Sequence, residues 1–185
     1  MTRINASPCR PCEAEVIVDR IKKYRDKNAD KKLSIGVISF YRSQVEEISR
    51  RLETCNLAND ISVGTVDAFQ GKEFNIIFLS IVRTGIKLNG MNLSELECDE
   101  NSFADETEKN LFRERKEGVG RSNYGFLTSE NRLCVALSRQ KRLLVVVGDA
   151  DLFRGEPGGR LAQIFVPALK NFYDMCEAKG AVENA

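Results

Sequence analysis

Not one of the 185 residues is a histidine. That excludes imidazole acid-base catalysis and Ser-His-Asp triads. The six cysteines do not make a zinc site either: only Cys9 and Cys12 are close together, and no second pair supplies the remaining two of four ligands. No metal site is therefore expected in this chain. No apolar run approaches the roughly 20 residues that span a bilayer, and no basic stretch followed by an apolar core opens the chain. No membrane partner is expected, and a cytoplasmic place, or a nuclear one in a eukaryote, is the default. Neither a G-x-x-x-x-G-K-[S/T] phosphate loop nor a G-x-G-x-x-G dinucleotide turn occurs, so a self-sufficient nucleotide enzyme is the poorest reading. The nearest string, Gln70-Gly71-Lys72-Glu73, has Glu where Ser or Thr is needed and Val66 where the first glycine should stand. Leu143–Val147 with Gly148-Asp149 imitates a Walker B strand, but that element requires the absent loop.

What is present suits one globular domain over residues 1–185, with 42% hydrophobic and 30% charged residues. The 28 basic and 27 acidic residues are unevenly spread. Nine acids and four bases fall between Glu95 and Glu117, so the rest of the chain is mildly basic, compatible with a phosphate-backbone partner. Met1–Pro11 reads as an irregular lead-in. Val16, Ile17, Ile21 and Tyr24 predict a helix from Glu13 to about Asp26, and Leu33–Phe40 a core strand. Ser43 to about Cys55 follows as a helix with Val45, Ile48 and Leu52 inward. Gly85–Tyr124 shows no sustained apolar period and is expected to be an acidic loop insertion, either a flap that gates a nucleic-acid groove or a solvated loop. Arg160 to about Cys176 predicts a last helix interrupted at Pro167.

The most informative stretch is Val63–Thr84. A β-branched run (Val63–Val66) leads through a polar turn (Asp67–Asn75) to an apolar run (Ile76–Val82) of the kind buried on both faces in a parallel sheet. Loops at the edges of α/β sheets are where ligands bind. Gly71 has no Cβ, so a nucleotide can approach the main chain there, and the Glu73 carboxylate can accept hydrogen bonds from ribose hydroxyls. Thr65, Asp67 and Gln70 add a hydroxyl, a carboxylate and an amide. The alternative is a plain strand connection with a turn glycine.

Thr65-Val-Asp-Ala-Phe-Gln-Gly-Lys-Glu73, with the strand after it and Arg83, resembles motif V of superfamily 1 helicases, in the branch of the nonsense-mediated-decay, senataxin and DNA-replication helicase-nucleases. Two further strings agree. Tyr41-Arg42-Ser43-Gln44, after the first strand, resembles motif IV, although Ser39-Phe40-Tyr41 stands where the family has Thr-Pro-Tyr. Gly125–Lys141 resembles motif VI, with Asn131, Cys134, Ser138 and Lys141 replacing Arg, Asn, Thr and Arg, and with Arg139 in place. Arg132 and Arg139, seven residues apart, are expected to share one helical face.

The resemblance implies an α/β, three-layer RecA-like domain of the P-loop-NTPase type, with a mostly parallel sheet, helices on both faces and no Walker A loop. It would be the second, C-terminal motor domain of a superfamily 1 helicase, with ATP and Mg²⁺ in a cleft shared with an N-terminal RecA-like domain of the same parent protein. The Mg²⁺ ligands are expected on that partner. By the same resemblance Arg139 is the arginine finger, Glu73 meets the ribose beside the nucleotide-binding turn at Gly71, and Arg42 and Gln70 assist at the γ-phosphate. Arg132 joins the nucleotide site, or else holds the motif in place or bonds nearby carboxylates, and Arg42 is otherwise a surface residue. Ser39, Thr65 and Asp67 are candidates for contact with single-stranded DNA or RNA; Thr65 and Asp67 are alternatively turn-stabilising residues, Asp67 more so. The chain reads as half of an engine, a fragment or a truncated product that is inactive alone. The competing class is a non-catalytic RecA-like module that binds nucleic acid or protein.

Overall fold

The computed structural model describes residues 7–28 and 30–184. In chain order the regular elements are α1 (Pro11–Lys27), β1 (Ile35–Ser39), α2 (Arg42–Thr54), β2 (Ile61–Thr65), β3 (Phe74–Ser80), α3 (Leu93–Leu96), α4 (Glu106–Tyr124), α5 (Glu130–Leu137), β4 (Gln140–Val147), α6 (Arg160–Phe165) and α7 (Pro167–Ala178). Short 3-10 turns join them. Of the expected lead-in, residues 1–6 lie outside the described residues and 7–10 are irregular. The chain divides into two compact units. One holds the residues up to Val82 together with Asn131–Gly148, the other Arg83–Glu130 with Asp149–Asn184.

The first unit is built on a four-stranded, wholly parallel sheet in the order β2-β1-β3-β4. This is the α/β architecture of a RecA-like domain. β1 has neighbours on both sides and is buried along its full length, as the unbroken apolar run Ile35–Ile38 requires. Against one face, Ala14, Ile17, Val18 and Ile21 of α1 and Ile48 and Leu52 of α2 pack on Ile35, Val37, Ile76 and Phe78. Each fully buried isoleucine or leucine contributes roughly 1.5–3 kcal/mol. Val16 and Val45, expected inward, are half-buried, while polar Glu13 and Gln44 occupy the buried positions.

The other face carries an unusually short crossover. β2 and β3 both flank β1, yet only residues 66–73 connect them, fewer than the dozen or so a parallel crossover normally needs. A 3-10 turn, Val66–Phe69, folds Phe69 onto the sheet, where it is 2% exposed. Glycines make the room. A Cβ on Gly36 would stand 2.7 Å from Phe69 Cε1, and one on Gly64 would stand 3.2 Å from Phe69 Cε2. The connection thus lies flat and returns from the carboxyl edge of the sheet to its amino edge.

In the second unit the structure departs from the loop expected over Gly85–Tyr124. It contains α3 and the 19-residue α4. The helix α4 is capped at both ends: the Asp105 side chain accepts from Thr107 N at 3.0 Å, and Gly125 follows with φ +53°. Its buried stripe is Phe112, Val119, Gly120, Asn123 and Tyr124. Asn123 is fully satisfied there, donating to the carbonyls of Val119 (2.8 Å) and Lys87 (2.7 Å) and accepting from Lys87 N at 2.7 Å. Arg83 closes the helix by donating to the carbonyls of Arg121, Ser122 and Asn123, where a cation is favoured by the helix dipole. As expected, the last helical stretch breaks before Pro167, which opens α7 at a position where its missing N–H costs nothing.

Candidate nucleotide and nucleic-acid site

At the amino edge of the sheet, the Gly71 turn meets the end of motif VI. Gly71 adopts φ +75°, a left-handed conformation that glycine reaches without strain, and the position a Cβ would take there has no neighbour within 4 Å. Two residues on, the Glu73 carboxylate is exposed and paired with Lys141 Nζ at 3.2 Å. Arg139 immediately precedes β4, and its carbonyl accepts from Phe74 N at 3.0 Å. These two contacts bring Glu73 and Arg139 to one edge. The half-buried Arg139 guanidinium caps the end of α5, with Nε on the Val135 carbonyl at 3.2 Å and Nη2 on Ser138 Oγ at 2.8 Å. Gln70 is exposed on the same turn.

The carboxyl edge holds a different group. Thr65 ends β2 half-exposed, and Asp67 follows it, exposed, with one carboxylate oxygen 3.0 Å from Arg132 Nη2. Arg42 is exposed in the first turn of α2, just past β1. Ser39, a candidate for nucleic-acid contact, is fully buried: its hydroxyl donates to the Ser80 carbonyl and accepts from Tyr41 N, both at 3.4 Å. It shapes the edge from inside.

Beneath this edge lies a buried polar network that the sequence reading passed over. The Glu13 side chain, 4% exposed, accepts from Ser80 Oγ at 2.7 Å and from Val82 N at 3.0 and 3.2 Å. Gln44 Nε2 donates to Ser80 Oγ (3.0 Å) and to the Arg10 carbonyl (3.1 Å), while its Oε1 accepts from Arg10 N at 2.8 Å. Burial pushes the Glu13 carboxyl above the usual glutamate range, opposed by the bonds from Ser80 and Val82 and by the Arg10 charge. Val82 has φ +66°, a costly conformation for a β-branched residue. The Glu13 carboxylate holds it there. The signal available beforehand was an acid one helical turn before Ile17, on the buried stripe of α1.

One expectation of geometry is overturned. Arg132 and Arg139 do not share a helical face, because α5 ends at Leu137 and Arg139 lies beyond it. Eight helical residues rise about 12 Å, close to the roughly 13 Å that β1 spans. The motif VI helix therefore runs the height of the sheet. Arg132 ties its start to Asp67 near the carboxyl edge, and Lys141, just after it, ties to Glu73 at the amino edge. Motifs V and VI lie side by side, pinned at both ends.

Comparison with known proteins shows the family. The family described as "AAA domain" matches residues 2–151. The chain belongs to that family and is a superfamily 1 helicase domain. The domain is 30% identical over 142 residues to "DNA polymerase alpha-associated DNA helicase A" of Saccharomyces cerevisiae, covering 77% of this chain and 16% of that protein. It is 30% identical over 181 residues to "Putative helicase mov-10-B.2" of Danio rerio, covering 91% of this chain and 14% of that one. To "RNA helicase Mov10l1" of Homo sapiens it is 34% identical over 123 residues, 66% of this chain and 8% of the relative. The helicase domain thus spans less than a fifth of the length of these relatives. No helix among the described residues is long and apolar enough to cross a membrane.

Proposed function

We propose that this chain is the C-terminal RecA-like motor domain of an ATP-dependent DNA or RNA helicase, and that its amino edge completes an ATP site shared with an N-terminal RecA-like domain. The observation that carries the reading is the meeting of Glu73 and Arg139, from two separate motifs, through the Lys141 pair and the Phe74 N–H. In the proposed cycle Glu73 accepts from the ribose hydroxyls, and the backbone at Gly71 leaves the nucleotide room. Arg139 exchanges its bonds to Val135 and Ser138 for the γ-phosphate, where its planar fork offsets charge that redistributes during phosphoryl transfer. Gln70 assists at the phosphate end, whereas Arg42, expected there, stands at the opposite, carboxyl edge of the sheet. The described residues offer Mg²⁺ no group of three or more carboxylate, thiol or imidazole ligands, and the ion's ligands are proposed on the partner domain. Single-stranded DNA or RNA passes the carboxyl edge, where Thr65 and Asp67 are the proposed contacts, and closure around ATP moves it.

The test is phosphate release from ATP by this chain, alone and with an N-terminal RecA-like domain supplied, each with and without single-stranded nucleic acid. The chain alone is expected to be silent and the pair to show strand-stimulated turnover, lost in Arg139→Ala and with a raised KM in Glu73→Ala. Turnover by the chain alone that is lost in both variants overturns the half-site reading. A reconstituted pair indifferent to Arg139→Ala overturns the finger.

A further inference from the structure

The strand that follows motif VI is irregular where it meets motif V. Phe74 pairs with Gln140 but Ile76 pairs with Leu143, so Asn75 alone faces two residues, Lys141 and Arg142, in a β-bulge on β4. Bulges are rare in parallel pairs, and where they occur they re-aim a side chain, often beside an active site. The effect here is visible in burial. In a regular strand successive side chains alternate between faces, yet Lys141 and Arg142 are both exposed while Leu143–Val147 are all half-buried. Asn75 is held from the other side, accepting from Ser34 N at 2.9 Å and from Ser34 Oγ at 3.0 Å, so β3 keeps its line and β4 absorbs the extra residue.

The consequence is an ammonium group delivered to the Glu73 carboxylate. Lys141 Nζ lies 3.2 Å from Glu73 Oε2, with the two side chains 54% and 60% exposed. A pair this exposed adds little to stability. It does limit the rotamers of a glutamate that otherwise swings freely in solvent, and it occupies one oxygen while the other stays open to a hydroxyl donor.

We infer that Lys141 is a positioning residue that sets the Glu73 carboxylate for the ribose of the nucleotide. This rests on the proposed role of Glu73. Lys141 acts through Glu73 on nucleotide recognition and does not touch the reacting phosphate, so its effect falls on KM and on the preference for ribose over deoxyribose. A lysine suits the task because its compact charge leaves the second carboxylate oxygen unclaimed, where a fork-shaped guanidinium engages both.

The experiment uses the full chain assembled with a phosphate-gripping RecA-like domain, and measures kcat and KM for ATP and for 2′-deoxy-ATP in wild type, Glu73→Ala, Lys141→Ala, Lys141→Arg and the Glu73→Ala/Lys141→Ala double variant. Lys141→Ala is expected to raise KM for ATP about twofold to fivefold, the range an exposed ion pair can carry. It should narrow the ribose preference with kcat kept, and do nothing further once Glu73 is gone; Lys141→Arg, whose fork claims the second carboxylate oxygen, should restore little of the loss. If Glu73→Ala erases the ribose preference while Lys141→Ala leaves both KM values at wild type, the positioning role is overturned and the ribose contact stands. Additive losses in the double variant overturn it as well. If Glu73→Ala leaves the preference intact, the ribose contact itself falls and the role of Lys141 falls with it.

Discussion

Replacing Glu13 by alanine removes the acceptor for Val82 N (3.0 and 3.2 Å) and for Ser80 Oγ (2.7 Å), inside a site from which water is shut out. A buried N–H left without a partner costs about 1–3 kcal/mol, and each bond to a charged acceptor is worth about 1.5–3 kcal/mol net. Against this stands the release of a carboxylate that burial disfavours, which is why its pKa is raised. Ser80 also keeps Gln44 as a donor. The balance is a loss of about 2–4 kcal/mol, and with a urea m-value of about 2 kcal/mol/M the midpoint falls by about 1–2 M. Glu13→Gln keeps the shape and the acceptor for Val82 N, and should cost about 1 kcal/mol.

The two variants separate packing from charge. Because the folded-state pKa of Glu13 lies above the ordinary value, the folded chain holds a proton that the unfolded chain has already lost. Stability from this group is therefore fully present below the ordinary glutamate pKa, falls as pH rises through the raised value, and is flat beyond it. Glu47, whose pKa its bonds to Arg50 and Arg51 lower, slopes the other way, and cancels when the variant is compared with wild type. Urea melts from pH 4 to 8 should show wild type losing ground to Glu13→Gln as pH rises. Parallel curves, or a Glu13→Ala midpoint within about 0.3 M of wild type, would refute the account of a strained, carboxylate-held Val82.

Gly36→Ala puts a Cβ 2.7 Å from Ile77 Cδ1 and from Phe69 Cε1, so a ring must shift, costing about 1–3 kcal/mol; a thermal melt unchanged from wild type would contradict the slot described for Phe69. Arg83→Ala uncaps three carbonyls at the end of α4, and amide exchange in the last turn, Arg121–Tyr124, should quicken while exchange in β1 stays slow. Asp67→Asn breaks an exposed pair with Arg132 and should cost no more than about 1 kcal/mol in a urea melt. A larger loss would mean that the pair organises the whole turn.

The strands and the two motif turns were legible because strands buried in a parallel sheet must be written as continuous apolar runs, and the turns between them carry a chemistry that neighbouring loops lack. α4 was not, because three of the five residues on its buried stripe are Gly120, Asn123 and Tyr124. These residues are held by hydrogen bonds and close approach, so an apolar period cannot reveal them. The shared face assigned to Arg132 and Arg139 assumed a helix continuing past Leu137, whereas Ser138 and Arg139 turn back onto the Val135 carbonyl. Gly36 and Gly64 are glycines inside strands, where a close approach is common, but only the fold says that Phe69 is what approaches. Ser39 read as an edge hydroxyl because position along a strand says where a residue ends up and not how deep it lies.

The flat connection between β2 and β3 works as a strut of fixed length. The register puts Thr65 and Phe74 six residues apart along the strands and two strand spacings across, roughly 22 Å, and the residues between them open with a four-residue 3-10 turn that rises only about 2 Å per residue. That leaves little slack. With Phe69 keyed into two glycine slots, the strut cannot buckle away from the sheet, so a pull on the main chain at Thr65 arrives at Glu73 as a displacement. The two edges share one piece of hardware, and a single added or missing residue between them would put each out of adjustment with the other.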